Sequence, residues 1–222
     1  MWKSIIYKEW LKTRWFFIAF AALGTLVVGY IFLTVQHNFK FNEPNNYWYT
    51  LLFMKLKYFG YLKFAPIAGA LAISIAQFFP ETVDKRIKLT FHLPLNENKV
   101  LLIMMLFGTL CLLAAYLLFL ALFVGLSTIY FPSNIILPAL VTIAPWFLAG
   151  FTAYYFVALI VLEPVWKYRF LYIVVTATIL PLFFESAATG SYAPANPVLA
   201  VLVIISSIAL LFSGYRFRKG EM

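Results

Sequence analysis

Residues 100–162 read VLLIMMLFGTLCLLAAYLLFLALFVGLSTIYFPSNIILPALVTIAPWFLAGFTAYYFVALIVL, 63 consecutive positions without one Asp, Glu, Lys or Arg. A soluble domain places a charge at about one residue in four. No aqueous core needs so long an uncharged run, and the stretch must be solvated by lipid. A bilayer-spanning helix takes about 20 apolar residues, so the run holds two spans and has to be cut once. The one good turn signal in it is Phe131-Pro132-Ser133-Asn134, because proline lacks the N–H that a continuing helix needs. Spans are therefore expected over 100–129 and 135–162, each long enough to tilt.

Outside this stretch the same reasoning gives four more spans. The first is 15–35, ended by the polar stretch 36–46. The second is 58–79, with Lys63 snorkelling near its start and Pro80 at its exit. The last two are 170–184 and 198–215. The 15 residues of the fifth span rise only about 22 Å, short of the roughly 30 Å hydrocarbon core, so something must complete it. With 222 residues, 64% hydrophobic, 20% aromatic and 11% charged, the chain has room for these six spans and no separate catalytic domain. The fold class expected is an all-α polytopic membrane protein, one transmembrane domain over 1–222. The run 15–35 exceeds a signal-peptide core of about 7 to 15 residues and reads as an uncleaved span.

Orientation follows from the basic residues. With the N-terminus inside, the cytoplasmic side receives Lys3, Lys8, Lys12, Arg14, Lys85, Arg86, Lys88, Lys99, Lys167, Arg169, Arg216, Arg218 and Lys219, 13 of the 17. Lys40, Lys55, Lys57 and Lys63 fall in or just after the first outer connection. The positive-inside rule selects N-in and C-in, and the excess of basic over acidic residues reads as membrane topology with no nucleic-acid partner. The expected location is the inner (cytoplasmic) membrane of a bacterium, as a multi-pass protein. Cys111 alone excludes an internal disulfide and reads as a small hydrophobe. His37 and His92 fall on opposite sides of this topology and cannot share a metal. Small residues at Gly125, Ala149 and Gly150 could let helices approach closely.

Two segments outside the spans draw notice. In 1–14, Trp2, Ile5, Ile6 and Trp10 share one helical arc, while Ser4, Lys8 and Lys12 share another. The segment reads as an interfacial helix. Glu9 projects from the middle of the apolar arc, where it needs a cation or a partner chain; a plain topogenic flank, with Glu9 reaching water, is the other reading. The inner connection 80–99 holds seven charged side chains. Helical spacing would set Glu81 beside Lys85 and Asp84 beside Lys88, with Leu89, Phe91 and Leu93 apolar before Pro94. It reads as an amphipathic cytoplasmic helix or as a solvated loop.

This order of parts resembles the permeases of type-2 ATP-binding-cassette (ABC) transporters. The carrying residues are Ile6-Tyr7-Lys8-Glu9-Trp10, similar to that family's basic, acidic and aromatic N-terminal helix, and Glu81 followed by Pro94 and Lys99. The small-residue step the family usually shows is replaced here around Arg86-Ile87-Lys88. The resemblance implies a coupling helix that sits in a cleft of the ATPase subunit, with contacts from Glu81, Asp84, Lys85, Arg86, Lys88, Leu89, Phe91 and Leu93. The interfacial helix, through Ile6, Lys8, Glu9 and Trp10, would brace it. Glu163-Pro164 with Lys167 and Arg169 would be a second, smaller contact, or simply a capped turn. The resemblance also implies that 185–197 dips back into the outer leaflet as a re-entrant segment; an ordinary outer loop is the alternative.

The chain contains no G-x-x-x-x-G-K-[ST], H-E-x-x-H, C-x-x-C or G-x-S-x-G motif. It is expected not to be an enzyme and to carry no cofactor of its own, with ATP and Mg bound by the partner. Spans without charge near their midplanes suit an apolar or amphiphilic cargo better than a coupling ion. The function expected by resemblance is the permease subunit of an ATP-driven exporter, paired with a second copy or a paralogue. The competing reading is a nontransporting scaffold or immunity-type protein that sequesters a peptide or organises a membrane complex.

Overall fold

The computed structural model describes residues 2–41, 44–54, 56–83, 97–185 and 188–218; the side chains of 44, 97, 98 and 212–218 are outside the description. All regular structure among the described residues is helical: α1 (Trp2–Phe41), α2 (Pro44–Leu52), α3 (Ala65–Val83), α4 (Glu97–Tyr130), α5 (Ser133–Leu162), α6 (Trp166–Ile179) and α7 (Asn196–Arg218), with 3-10 turns at Gly60–Leu62 and Leu180–Phe183. Among the described residues four stretches are long and apolar enough to cross a membrane: Trp2–Phe41, Gly60–Val83, Lys99–Tyr130 and Ser133–Leu162.

The uncharged run is cut where expected. Phe131 and Pro132 are the only non-helical residues between α4 and α5, and Pro132 takes an extended conformation at the start of α5. At the N-terminus the expectation is corrected. Segments 1–14 and 15–35 are not separate elements, since α1 runs unbroken for 40 residues, through Gln36 to Phe41. At about 1.5 Å per residue it is some 60 Å long, twice the hydrocarbon thickness. Its packed face shares only Ile5 with the apolar arc. The buried stripe at its start is Ile5, Glu9 and Thr13, whereas Trp2, Ile6 and Trp10 are exposed. The helix at the expected fifth span, α6, begins four residues earlier than expected, at Trp166, and the 3-10 turn Leu180–Phe183 extends it. Together they rise about 29 Å.

The centre of the bundle is α5. It packs against α3, α4, α6 and α7, while α1 packs against α3 and α4. Trp146, Ala153 and Tyr154 are fully or almost fully buried, although α5 contains Pro138 and Pro145. Each proline leaves the carbonyl four residues earlier without its helical donor. The carbonyl freed by Pro145 is that of Val141, and Asn196 Nδ2 donates to it at 3.2 Å. Large apolar side chains such as Trp15, Leu23, Leu26 and Leu33 on α1 point outward and are mostly exposed, the pattern of a surface solvated by lipid.

Glycine lets three helices close up. A Cβ at Gly69 would collide with the Phe20 ring, and one at Gly24 would collide with the Phe119 ring. The two rings meet edge to face at 5.1 Å, so α1, α3 and α4 interlock through ring-on-glycine contacts. Of the small residues marked in the sequence, Gly150 supports a close approach, with the Tyr116 hydroxyl where its Cβ would be, whereas nothing lies within 4 Å of a Cβ at Gly125.

Candidate functional site

Four of the charged residues that the sequence placed at one end of the spans, Lys8, Glu9, Lys12 and Glu81, meet in one cluster. Glu9, six residues ahead of the apolar run 15–35, is fully buried, and Glu81, two residues beyond 58–79, is 1% exposed. Lys12 Nζ lies 2.6 Å from Glu9 Oε1 and 2.6 Å from Glu81 Oε1. Lys8 Nζ reaches Glu81 Oε1 at 2.7 Å. Lys8 and Lys12 reach across from the same helix as Glu9, while Glu81 stands near the end of α3. Two acids and two bases sum to zero charge, the only way four ionised groups can be packed this tightly without a large desolvation cost.

The two carboxylates are not equivalent. Burial pushes Glu9 above the usual carboxylate range, only partly countered by Lys12. Burial also raises Glu81, but the hydrogen bonds and charges of Lys12 and Lys8 outweigh it and hold Glu81 below that range. Glu9 Oε2 has no hydrogen-bond partner among the described residues.

Directly beside this cluster α3 carries a polar stripe. Ser74, Gln77 and Glu81 are spaced by three and four residues and so share one helical face, and all three are buried. Ser74 Oγ donates to the Tyr154 carbonyl on α5 at 3.0 Å. Gln77 Nε2 donates to the Met104 carbonyl on α4 at 2.7 Å, and its Oε1 accepts from the Tyr154 hydroxyl at 2.8 Å. The hydroxyl fits because residue 108 is glycine; a Cβ there would collide with it. One face of α3 thus bonds α5, α4 and α1 in turn.

Sequence reasoning placed Glu9 and Glu81 at functional positions but did not bring them together. Glu9 meets a cation, one of its two expected partners, and the cation is Lys12 of its own helix. Glu81, expected beside Lys85, is met by Lys8 and Lys12 and is too buried to be offered to another protein in this conformation. Asp84, Lys85, Arg86, Lys88, Leu89, Phe91 and Leu93 lie outside the described residues. Ile6, Trp10 and the Lys8 side chain are partly to largely exposed. Ser74 and Gln77 were missed, although two polar residues at helical spacing from Glu81 in an otherwise apolar run were a visible signal.

The far end of the bundle is organised by 188–196. Gly190, at φ +84°, adopts the left-handed region that glycine enters without strain. Its N–H donates to Thr142 Oγ1 at 2.8 Å, the Tyr192 hydroxyl donates to the Leu182 carbonyl at 2.6 Å, and Asn196 takes the carbonyl freed by Pro145. Thr142 is nine residues in from the start of α5, about 13 Å of rise, so the turn lies alongside the helix and not beyond it. Replacing Thr142 by valine keeps the shape but leaves the Gly190 N–H without an acceptor. It should cost about 1–3 kcal/mol and speed hydrogen exchange at that amide relative to wild type. A cavity of about 410 Å³ opens beside the turn, walled by residues including Leu51, Tyr58, Phe59 and Pro138 with Asn134 and Ser191, and none of its described lining residues is charged.

Among the described residues no group of three or more His, Cys, Asp or Glu is placed to hold a metal. Compared with family models, with curated proteins and with solved structures, the chain finds no match.

Proposed function

We propose that this chain is the membrane subunit of an ATP-driven transporter, receiving force at its charged end from a separate ATPase and moving an apolar or amphiphilic cargo, outward by the family's habit. The observation that carries this reading is the Glu9–Lys12–Glu81 cluster. The end of α3 leads directly into the segment 84–96, where an ATPase would press, and Lys12 ties that end to α1. A displacement of the segment would reach α1 and, through Gln77 and Tyr154, α4 and α5. In this reading all six helical spans cross the membrane with both termini inside, and a second copy or a paralogue completes the path. The position of 188–196 beside α5 supports a re-entrant outer segment, and the uncharged cavity next to it favours a cargo without formal charge.

The experiment is copurification. Because Glu81 is committed to α1, its reversal would disturb folding, and Arg86 is the better probe. Arg86→Glu should abolish copurification of an ATP-binding subunit encoded beside this chain while leaving the thermal unfolding of the isolated membrane protein unchanged. Retention of that subunit by Arg86→Glu, or a cellular effect of this chain that persists when the partner's ATP hydrolysis is blocked, would favour the scaffold reading instead.

A further inference from the structure

At the end of the bundle that holds the charge cluster, the closing turns of α3 and α5 and the first turns of α6 leave a groove of about 340 Å³ lined by Phe79, Thr82, Val83, Ile160, Val161 and Arg169. Four of the six are apolar, and Phe79 and Val83 are more than half exposed. The Thr82 hydroxyl is turned to the Phe79 carbonyl. Arg169 is the one cation among the described residues of this lining. Its Nη2 donates to the Glu163 carbonyl at 2.7 Å, and its guanidinium stands 4.9 Å from the centre of the Trp166 ring. Its Nε is buried yet has no hydrogen-bond partner among the described residues. The buried Nε is out of a ligand's reach, but the Nη1 end of this guanidinium, fixed on two sides and without a hydrogen-bond partner among the described residues, is prepared for an anionic oxygen.

We infer that this groove binds one anionic phospholipid, its phosphate on Arg169 and the start of an acyl chain along Phe79, Val83, Ile160 and Val161. Three things select a lipid. The groove combines one cation with apolar walls, it is open on the outer surface of the helices, and Trp166, 76% exposed, marks that end as a membrane interface. Lys167, also exposed, would add attraction for an anionic headgroup and repel the ammonium of a zwitterionic one. The inference stands apart from any ATPase partner, so neither fails with the other.

The full chain is purified, incubated with phosphatidylglycerol or phosphatidylcholine, and the lipids retained are counted by native mass spectrometry. Wild type should retain one phosphatidylglycerol in preference to phosphatidylcholine. Arg169→Gln should weaken that retention about tenfold, the loss of one charge-assisted hydrogen bond, whereas Lys167→Gln, an exposed charge, should change it less than about twofold. Ile160→Trp, which fills the groove and keeps the cation, should also lose the lipid, and it decides the matter if Arg169→Gln does not fold. Equal losses in Arg169→Gln and Lys167→Gln, equal retention of phosphatidylcholine, or full displacement by inorganic phosphate at millimolar concentration would each overturn the site as a phospholipid site.

Discussion

Replacing Lys12 with methionine should lower stability by about 3–5 kcal/mol, the cost of removing one partner from a buried ionic group. Among the described residues Lys12 is the one that forms salt bridges to both buried carboxylates, and its side chain is only 16% exposed. Its loss leaves Glu9 with no cation at hydrogen-bonding distance among the described residues and takes from Glu81 one of the lysines that hold it. Lys8, at 39% exposure, is screened, and Lys8→Met should cost less than about 1 kcal/mol. Thermal unfolding in detergent measures both. The cluster as drawn is wrong if the two lysine variants lose the same stability. Combining Lys12→Met with Glu9→Gln and Glu81→Gln should recover most of the loss, because no unpaired charge would then be buried.

The second large effect is steric. Gly24→Ala drives a methyl group into the Phe119 ring, which is fully buried. Gly69→Ala does the same to Phe20, whose own position is held by Phe119. Overpacking of this kind costs about 1–3 kcal/mol per site, and more where the ring has no space to turn. Because the rings touch, the two substitutions should not add; a double-mutant cycle is expected to give a coupling of about 0.5–3 kcal/mol. Phe119→Leu combined with Gly24→Ala should restore part of the loss. Gly125→Ala, with open space around it, should be tolerated. If Gly24→Ala unfolds at the same temperature as Gly125→Ala, the interlocking of α1, α3 and α4 is not as described.

What could be read in advance was whatever depends on hydropathy along the chain. The uncharged run had to be two helices broken at Pro132, because of its three prolines only Pro132 stands in a turn signal, followed by Ser133 and Asn134, whereas Pro138 and Pro145 stand among apolar residues and lie inside α5. The starts and ends of α4 and α5 fall within a few residues of those expected. Boundaries set by polar residues were less legible. Gln36 to Phe41 look like a loop because they are polar, yet α1 continues through them; a helix that is already formed extends at little cost, while a polar side chain at its end stays in water. Segment 1–14 was legible only in part. Its apolar arc read as one side of an interfacial helix, but which residues pack against the bundle, Ile5, Glu9 and Thr13, depends on how α1 is rotated against its neighbours.

The sequence by itself determined that this is a helical protein with stretches long and apolar enough to cross a membrane, that its long apolar run is cut at Phe131-Pro132, and that Glu9 stands out of place in an apolar arc. Only the tertiary structure decided which cation serves which acid. Lys12 and Glu81 are 69 positions apart, and their pairing depends on the rotation of α1 about its axis. That rotation is set by the fit of Phe20 over Gly69 and Phe119 over Gly24. Hydropathy is a property of single residues summed along a chain, whereas a salt bridge or a ring on a glycine is a property of two surfaces at a given angle, and the angle exists only once the helices have packed.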